Sequence, residues 1–476
     1  MQHNKNNICT NESQQDFITH KINRIKQFTL FFVIFGMTAC TDFVEVDPPK
    51  NMLISETVFN DPATVESALA NIFYKMREQG MVSGNVGLTT EMATYSDELD
   101  YYGFDTNYSE IYNHTITASN TTVLNWWSNA YNLIYATNDI IKGVENSSTL
   151  SIENQERFKG QALFVRAYLH SLLATLYGDI PYITTTDYIE NNVVTRLPLN
   201  TVFNTIITDL INAVDLLEGT STTGERVVPN QLVAQALLAR IYLYTENWAL
   251  AEMTATELIN TQSLESDIKN VFLNNSSETL WQLKSGDNPR NTHEANQLII
   301  VFIPGQLYAM TNTLLAAFEP GDLRLANWTS STKSTDGLTT LHFAYKYKAT
   351  FSETASLEYS IIFRLAEQYL IRAEARAHLS DISGAQQDLN VIRNRAGLTN
   401  TLATSMNDLL DAILQERRVE LFTEQSHRWF DLKRTDNASE VLSALKPNWQ
   451  ATDILLPIPE TELEINPNLL PQNSGY

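Results

Sequence analysis

Cysteine is nearly absent from this chain of 476 residues, which contains only Cys9 and Cys40. Two cysteines near the N-terminus give neither a disulfide framework nor a cysteine-based metal site. No thiol follows Cys40, so the main body of the chain cannot use a cysteine as a nucleophile.

The sequence also lacks the motifs of the common enzyme classes. It has no HExxH zinc motif, no GxSxG nucleophile turn and no glycine-rich phosphate-binding loop. Its eight histidines are scattered along the chain, and no pair of them has a metal-ligand spacing. These absences predict a protein without an active site and without a cofactor.

Basic residues are scarce relative to acidic ones. The chain has 32 Lys and Arg against 55 Asp and Glu, a formal net charge of −23. Such a surface repels nucleic acid and anionic head groups, which excludes nucleic-acid binding as the function. Neutral partners such as sugars remain compatible with this charge. Alternatively, the acidic residues serve only to keep the protein soluble.

Long hydrophobic runs are missing as well. The apolar run from Phe28 to Met37 is about half the length of roughly 20 residues that a membrane-spanning helix needs. It follows Lys21, Arg24 and Lys26 and ends in small residues, which is typical of a secretory signal. We therefore predict that residues 1–39 are a signal peptide.

The end of this signal resembles the lipobox of bacterial lipoproteins. Thr38-Ala39 precedes Cys40, whose thiol would be lipidated and would anchor the chain to a membrane, with Met37 at the usual leucine position as a departure. The alternative is an ordinary signal peptide with an incidental cysteine. Residues 40–52 are predicted to be the anchor and an extended linker, and residues 53–476 to be a single domain.

Helical hairpins are the most regular feature of the domain. Small and aliphatic residues recur at helical spacing over residues 363–397 and predict two antiparallel helices. Gly384 is predicted to lie in the turn between them, and Gly397 in a left-handed cap after the second helix. A second hairpin is predicted over residues 230–260, with small residues at Ala236, Ala239, Ala251 and Ala255. Such pairs are typical of tetratricopeptide-like repeats.

The remaining segments predict single helices and irregular regions. Helices are expected over residues 57–79, 123–143, 160–182 and 199–217. Two insertions, about 80–122 and 265–360, lack a clear period, although residues 278–284 and 341–348 have the alternation of short strands. The predicted fold is mainly α: a tetratricopeptide-like scaffold of helical hairpins with a loop-rich region and a few short strands.

Several blocks of this sequence together resemble the RagB/SusD family of outer-membrane nutrient-uptake lipoproteins. The resemblance extends from Cys40 to Tyr476 and rests on the order and spacing of the following blocks: MTAC, NWWSNAYNLIYATNDII, QALFVRAYLHSLLATLYGDIPY, RLPLNTVFNTIITDL, QLVAQALLARIYLYTENWALA, RLAEQYLIRAEARAH with NVIRNRAG, ERRVELFTEQSHRWFDLKR and LLPIPETELEINPNLLPQNSGY. The resemblance implies four tetratricopeptide-like pairs with an irregular region on one face.

The resemblance also implies a function. Members of the family cap a SusC-like, TonB-dependent transporter in the outer membrane and bind glycans, or in some cases peptides, without cleaving them. We therefore expect a glycan ligand, a transporter partner and a lipid anchor. Two alternatives are a surface glycoside hydrolase that uses Asp97 with a second carboxylate, and a tetratricopeptide adaptor for protein segments.

Loop aromatics and acids are the candidates for ligand binding. Sugars bind through flat apolar faces and through hydroxyl groups that donate to carboxylates. Asp97, Asp100, Tyr101 and Tyr102 lie together in the first irregular segment, and family members carry a ligand-contacting segment there. An alternative is that the acids only accept hydrogen bonds within the loop, and that the tyrosines pack the loop or contact the transporter.

The second insertion supplies two further candidates, Tyr308 and Trp328, which flank the segment AAFEPGDLR. The other tryptophans that we considered, Trp126, Trp127, Trp248 and Trp281, lie on predicted helices or a strand and are expected to be core residues.

The acidic and basic residues between Glu416 and Arg434 are expected to be structural. Their spacing of three or four places them as ion pairs on helices. We interpret them as a network that ties the last helix to the helical bundle.

Overall fold

A computed structural model describes residues 58–220, 224–288 and 290–476. The predicted signal peptide, the predicted lipidation site Cys40 and the linker 40–52 lie outside the described residues. Within the described ranges, no helix has both the length and the apolar composition that a bilayer crossing requires.

Helices dominate the described chain. In order, the helices are α1 Pro62–Glu78, α2 Leu88–Tyr95, α3 Thr106–Asn113, α4 Thr121–Asn146, α5 Ile152–Tyr177, α6 Tyr188–Asn191, α7 Leu199–Leu216, α8 Gln231–Tyr244, α9 Trp248–Thr261, α10 His293–Leu298, α11 Asn312–Leu315, α12 Leu323–Trp328, α13 Leu365–His378, α14 Ile382–Arg395, α15 Met406–Glu420, α16 His427–Arg434, α17 Ala438–Leu442 and α18 Glu460–Ile465.

Three two-stranded antiparallel ribbons lie between these helices. Strand β1 (Leu99–Tyr101) pairs with β3 (Tyr308–Met310), β2 (Thr279–Leu283) with β6 (Ser360–Arg364), and β4 (Thr329–Lys333) with β5 (Thr340–Ala344). The predictions of strands over 278–284 and 341–348 are confirmed as β2 and β5. The other four strands were not predicted. β1 and β3 have three residues each and β4 (TSSTK) contains no apolar residue, so none of these three shows alternation.

The predicted hairpins form the scaffold. Helices α8 and α9 pack as one antiparallel pair, α13 and α14 as another, and α9 also packs against α13. Their facing stripes consist of fully buried alanines, among them Ala236, Ala239, Ala251 and Ala255 of the first pair. Small side chains let the helix axes approach closely, so the prediction from the alanine spacing is confirmed.

The chain reversals of the α13–α14 hairpin only partly follow the prediction. Gly397 has a φ of +78° and follows helix α14 in the left-handed region, as predicted. Gly384 does not lie in the turn. It is in the first turn of α14, where its N–H donates to Asp381 Oδ1 over 3.0 Å. Ser380, with a φ of +66°, takes the left-handed position instead.

Helix α5 lies at the centre of the main core. From Phe158 onward almost all of its residues are buried, because α4 and α7 pack on either side of it. A helix that is covered on all sides has a weak amphipathic pattern. Gly178 ends the helix at a φ of +78°, a conformation that a residue with a Cβ rarely adopts.

Aromatic contacts join this helix to the β2–β6 ribbon. Trp281 is fully buried, and its ring centroid lies 5.2 Å from that of Phe164 and 6.0 Å from that of Tyr168, both edge-to-face. Its indole N–H donates to the carbonyl of Val227 over 3.2 Å. Trp126 and Trp127 are also buried, so the prediction of core positions for these three tryptophans is confirmed.

The prediction that residues 80–122 lack regular structure was wrong in part. The segment contains helices α2 and α3 and strand β1. All eight residues of α2 are buried, so that no polar face marks it in the sequence. Helix α3 is capped by Asp105, whose Oδ1 accepts from the N–H of Asn107 over 2.8 Å.

A buried cluster of arginines and carboxylates joins the second insertion, the last hairpin and helix α15. It consists of Glu278, Arg324, Lys346, Arg364, Arg395, Glu416, Glu420 and Glu424. Arg364 donates to Glu420 over 2.6 Å, to Glu424 over 2.7 Å and to Glu278 over 3.0 Å. The predicted ion-pair network of this region is present, but most of its partners come from distant parts of the chain.

Glu420 illustrates the electrostatic balance in the cluster. Burial by itself raises the pKa of a carboxyl group, but the charges of Arg395, Arg364 and Arg324 outweigh it and hold the pKa of Glu420 well below its usual range. Glu420 is therefore ionised at neutral pH, and all three arginines stabilise this buried negative charge.

We predict that replacing Arg364→Met lowers the free energy of unfolding by about 3–5 kcal/mol, because the substitution leaves buried carboxylates without their partner. Urea denaturation followed by circular dichroism measures this change. The matched control is Lys159→Met, which removes the exposed ion pair with Glu145 and is expected to cost less than about 1 kcal/mol. Equal losses in the two variants would contradict a special role for the cluster.

Candidate ligand-binding surface

The ribbon β1–β3 brings the two predicted insertions together. Asp100 pairs with Ala309 and Tyr101 with Tyr308, so that the first insertion lies directly beside the second. The pairing continues one residue further, because the N–H of Tyr102 donates to the carbonyl of Leu307 over 2.8 Å. Backbone hydrogen bonds thus fix the direction of the segment that carries the tyrosine candidates.

A row of aromatic side chains extends from this ribbon along helix α3. We call it the aromatic ridge, and it consists of Tyr101, Tyr102, Phe104, Tyr108 and Tyr112. Phe104 is 100% exposed and Tyr102 39% exposed, whereas the other three are half-buried. Tyr101 lies with its ring centroid 6.1 Å from that of Tyr108 and 5.7 Å from that of Tyr308. The ridge therefore has a packed base and two accessible rings.

Polar groups border the ridge. The hydroxyl of Tyr112 donates to Asp100 Oδ1 over 3.0 Å, and the backbone N–H of Asp105 donates to the hydroxyl of Tyr101 over 3.1 Å. Burial, together with the charge of Asp100, raises the pKa of Tyr112 to about 12. The hydroxyl is therefore a donor at every physiological pH, and Asp100 has acceptor capacity left for a ligand hydroxyl.

The structure places Asp97 away from solvent. Its side chain is 1% exposed, and its two oxygens accept from Arg428 over 2.7 and 3.0 Å and from Arg418 over 2.7 Å. Burial alone raises the pKa of Asp97, but hydrogen bonds and charge from Arg428, with Arg418, hold it below its usual value. The expectation that Asp97 contacts a ligand needs correction, because this carboxylate is already an internal ion-pair partner.

Tyr308 and Trp328 are buried as well, each about 1% exposed. The hydroxyl of Tyr308 donates to Glu91 over 2.6 Å, and the indole N–H of Trp328 donates to the carbonyl of Ile268 over 2.8 Å. Trp328 packs edge-to-face against Phe272. Both were expected to touch ligand, and this expectation needs correction, because both side chains are buried by internal partners. Tyr308 packs beneath Tyr101 of the ridge, and Trp328 packs in the core of the second insertion.

Two profiles of one protein family match the chain in succession. The profile described as "Starch-binding associating with outer membrane" matches residues 42–243, and the profile described as "SusD family" matches residues 290–476. The chain belongs to the SusD/RagB family. The resemblance on which the sequence analysis relied is confirmed.

Relatives that are named SusD-like proteins match over most of this chain. SusD-like protein P2 of Formosa agariphila is 27% identical over 95% of this chain and 100% of the relative. A SusD-like protein of Bacteroides ovatus is 24% identical, covering 83% of this chain and 79% of the relative.

Solved structures of the superfamily have the same fold. A SusD superfamily protein from Bacteroides vulgatus has a TM-score of 0.78 at 20% identity, covering 88% of this chain and 100% of that one. A laminarin-binding SusD-like protein has a TM-score of 0.74 at 21% identity, and the match covers 87% of this chain and 99% of that one. The prediction of a mainly α, tetratricopeptide-like fold is confirmed.

The ridge of this SusD/RagB protein includes aromatic residues that sequence reasoning did not single out. Phe104, Tyr108 and Tyr112 follow Tyr101 and Tyr102 closely in the chain. Tyr108 and Tyr112 are four apart, which places them on one face of α3. This aromatic spacing is present in the sequence, but it predicts a common face only once α3 is known to be a helix.

Two buried carboxyl groups lie beneath the ridge. Burial raises the pKa of Glu91 to about 7, although Tyr308 donates to it, and burial with the charge of Asp97 raises the pKa of Glu98 to about 8. Among the described residues, one carboxyl oxygen of each has no hydrogen-bond partner. Across residues 58–220, 224–288 and 290–476, no three His, Cys, Asp or Glu side chains are grouped to hold a metal ion.

The raised pKa of Glu98 makes stability depend on pH. Its usual pKa is about 4.5, so between pH 4.5 and 8 this carboxyl group is protonated in the folded chain and ionised in the unfolded chain. The contribution of Glu98 to stability therefore falls as pH rises through this range. We predict that Glu98→Gln removes part of this slope, so that the variant gains up to about 1.4 kcal/mol relative to wild type per pH unit between pH 5 and 8.

Urea denaturation at pH 5, 6, 7 and 8 measures this difference. The control is Glu145→Gln, since Glu145 forms an exposed ion pair and its replacement is expected to shift all four points equally. Parallel pH profiles for wild type and Glu98→Gln would contradict the raised pKa.

Proposed function

We propose that this protein is a surface-exposed outer-membrane lipoprotein that binds oligosaccharide or polysaccharide and delivers it to a SusC-like, TonB-dependent transporter. Membership of the SusD/RagB family supports this function, as does the family description that associates the protein with starch binding and the outer membrane. A structural neighbour that is named as laminarin-binding supports a glycan as the ligand class.

The exposed aromatic ridge is the observation that carries the proposal. Tyr102 and Phe104 expose their rings to solvent, and Asp100, whose charge acts on Tyr102, offers a carboxylate. Sugar rings have apolar C–H faces surrounded by hydroxyl groups, so aromatic faces with adjacent acceptors complement them. The acidic surface does not oppose this ligand, because neutral sugars carry no charge.

The protein acts by capture rather than by chemistry in this proposal. Binding raises the local concentration of glycan at the mouth of the transporter, and a lipid on Cys40 keeps the complex at the membrane. Family members of this kind are generally non-catalytic. The two internal arginine partners of Asp97 argue against the hydrolase alternative, since a glycosidase carboxylate must reach the substrate.

We predict that Tyr102→Ala combined with Phe104→Ala weakens glycan binding by about 10-fold or more, because each lost aromatic contact is worth about 0.5–1.5 kcal/mol. Affinity electrophoresis and calorimetry with laminarin and a panel of other neutral polysaccharides measure the change. Leu338→Ala, in an exposed position of the β4–β5 turn, is the control and is expected to bind as wild type.

Three outcomes would count against the proposal. One is wild-type affinity in the double variant. Another is the absence of binding to every polysaccharide and peptide in the panel, together with failure to co-purify with a TonB-dependent transporter. The third is release of reducing sugar that Asp97→Asn abolishes, which would favour the hydrolase.

A further inference from the structure

A cleft separate from the aromatic ridge lies between helix α4, the segment that follows α5, and the C-terminal segment. Its volume is about 330 Å³, at the lower end of the range of about 300–1,000 Å³ for small-molecule sites. Its lining comes from residues 127–135 of α4, from residues 181–194 and from residues 462–469. None of these residues belongs to the ridge or to the β1–β3 ribbon.

The floor of the cleft is aromatic and fixed. Trp127 is buried, and its ring centroid lies 5.1 Å from that of Tyr177 and 4.9 Å from that of Tyr131. The hydroxyl of Tyr131 donates to the carbonyl of Pro181 over 2.8 Å. These contacts hold the floor in one arrangement before any ligand arrives, which lowers the entropic cost of binding.

The walls present two tyrosine rings to solvent. Tyr135 is 47% exposed on helix α4, and Tyr188 is 69% exposed at the start of helix α6. Both residues line the cleft, Tyr135 from α4 and Tyr188 from the segment that follows α5. Exposed aromatic rings in a cleft can stack against the apolar faces of sugar rings.

The polar groups of the lining favour a neutral ligand with many hydroxyls. Four asparagines, Asn132, Asn191, Asn192 and Asn466, contribute amides. Among the described residues, Asn191 Oδ1 has no hydrogen-bond partner, so it can accept from a ligand hydroxyl. The one charged lining residue is Glu462, and it already accepts from the Ser128 hydroxyl over 3.2 Å.

We propose that this cleft is a second carbohydrate-binding site, which holds a short stretch of the same neutral glycan that binds at the ridge. The ligand class rests on the proposed function, whereas the location rests on the cleft itself. Two sites on one protein bind a long polymer more tightly than either site alone, because the second contact is intramolecular. Short oligosaccharides, which reach only one site, gain no such advantage.

The test uses the full chain purified in detergent and a neutral polysaccharide that wild type binds, together with a short oligosaccharide cut from it. Tyr135→Ala combined with Tyr188→Ala is expected to weaken polysaccharide binding about 10-fold and to leave oligosaccharide binding at the ridge unchanged. Replacing both tyrosines with Phe keeps the rings and is expected to retain most of the affinity. Tyr74→Ala, a similarly exposed tyrosine on α1, is the matched control.

Hydrogen exchange gives a local readout that does not depend on affinity. The short oligosaccharide at saturating concentration is expected to protect amides in residues 186–194 as well as in residues 101–112. Protection of 186–194 is expected to disappear in the Tyr135/Tyr188 alanine variant and to persist in Tyr102→Ala with Phe104→Ala.

The two proposals fail differently. Wild-type polysaccharide affinity in the cleft variant, or protection confined to 101–112, would overturn the second site and leave the proposed function intact. Protection of 186–194 by peptides but not by sugars would also overturn it. If no glycan binds wild type at all, both proposals fall.

Discussion

Glu420 accepts hydrogen bonds from three arginines, Arg324, Arg364 and Arg395, and all four side chains are almost fully withdrawn from solvent. Each charge is tolerable there only because the others are in place, since an unpaired buried ion is very costly. The arginines come from the second insertion, strand β6 and helix α14, and Glu420 from the end of α15. One cluster therefore forces parts of the chain that are far apart in sequence to assemble together.

The same region fixes the position of the aromatic ridge. Arg418 on α15 and Arg428 on α16 hold Asp97, and the N–H of Thr423 donates to Glu98 over 3.2 Å. Strand β1 begins at Leu99, directly after Glu98. A short length of backbone therefore joins these contacts to the ridge. A binding surface of this kind combines exposed rings with rigid support, which limits the entropy lost when a ligand binds.

Local patterns predicted the scaffold well. The spacing of small residues predicted both hairpins, which are present as α8–α9 and α13–α14. Site residues were harder to predict. Tyr102 is exposed as expected, whereas Tyr308 and Trp328 are buried by partners that lie far away in sequence. An aromatic residue in an apparent loop has the same local pattern whether it faces solvent or the core.

The sequence by itself determined the helical hairpins, the family and the absence of common catalytic motifs, because each of these depends on residue type and spacing within a short stretch. Only the tertiary structure decided which aromatics are accessible and where the charges pair. Asp97 resembles a ligand-binding acid until Arg418 and Arg428 are folded onto it, and the cleft beneath Tyr135 and Tyr188 exists only when helix α4 meets the C-terminal segment. Burial and ion pairing depend on contacts between distant residues, and these contacts arise only from the folded chain.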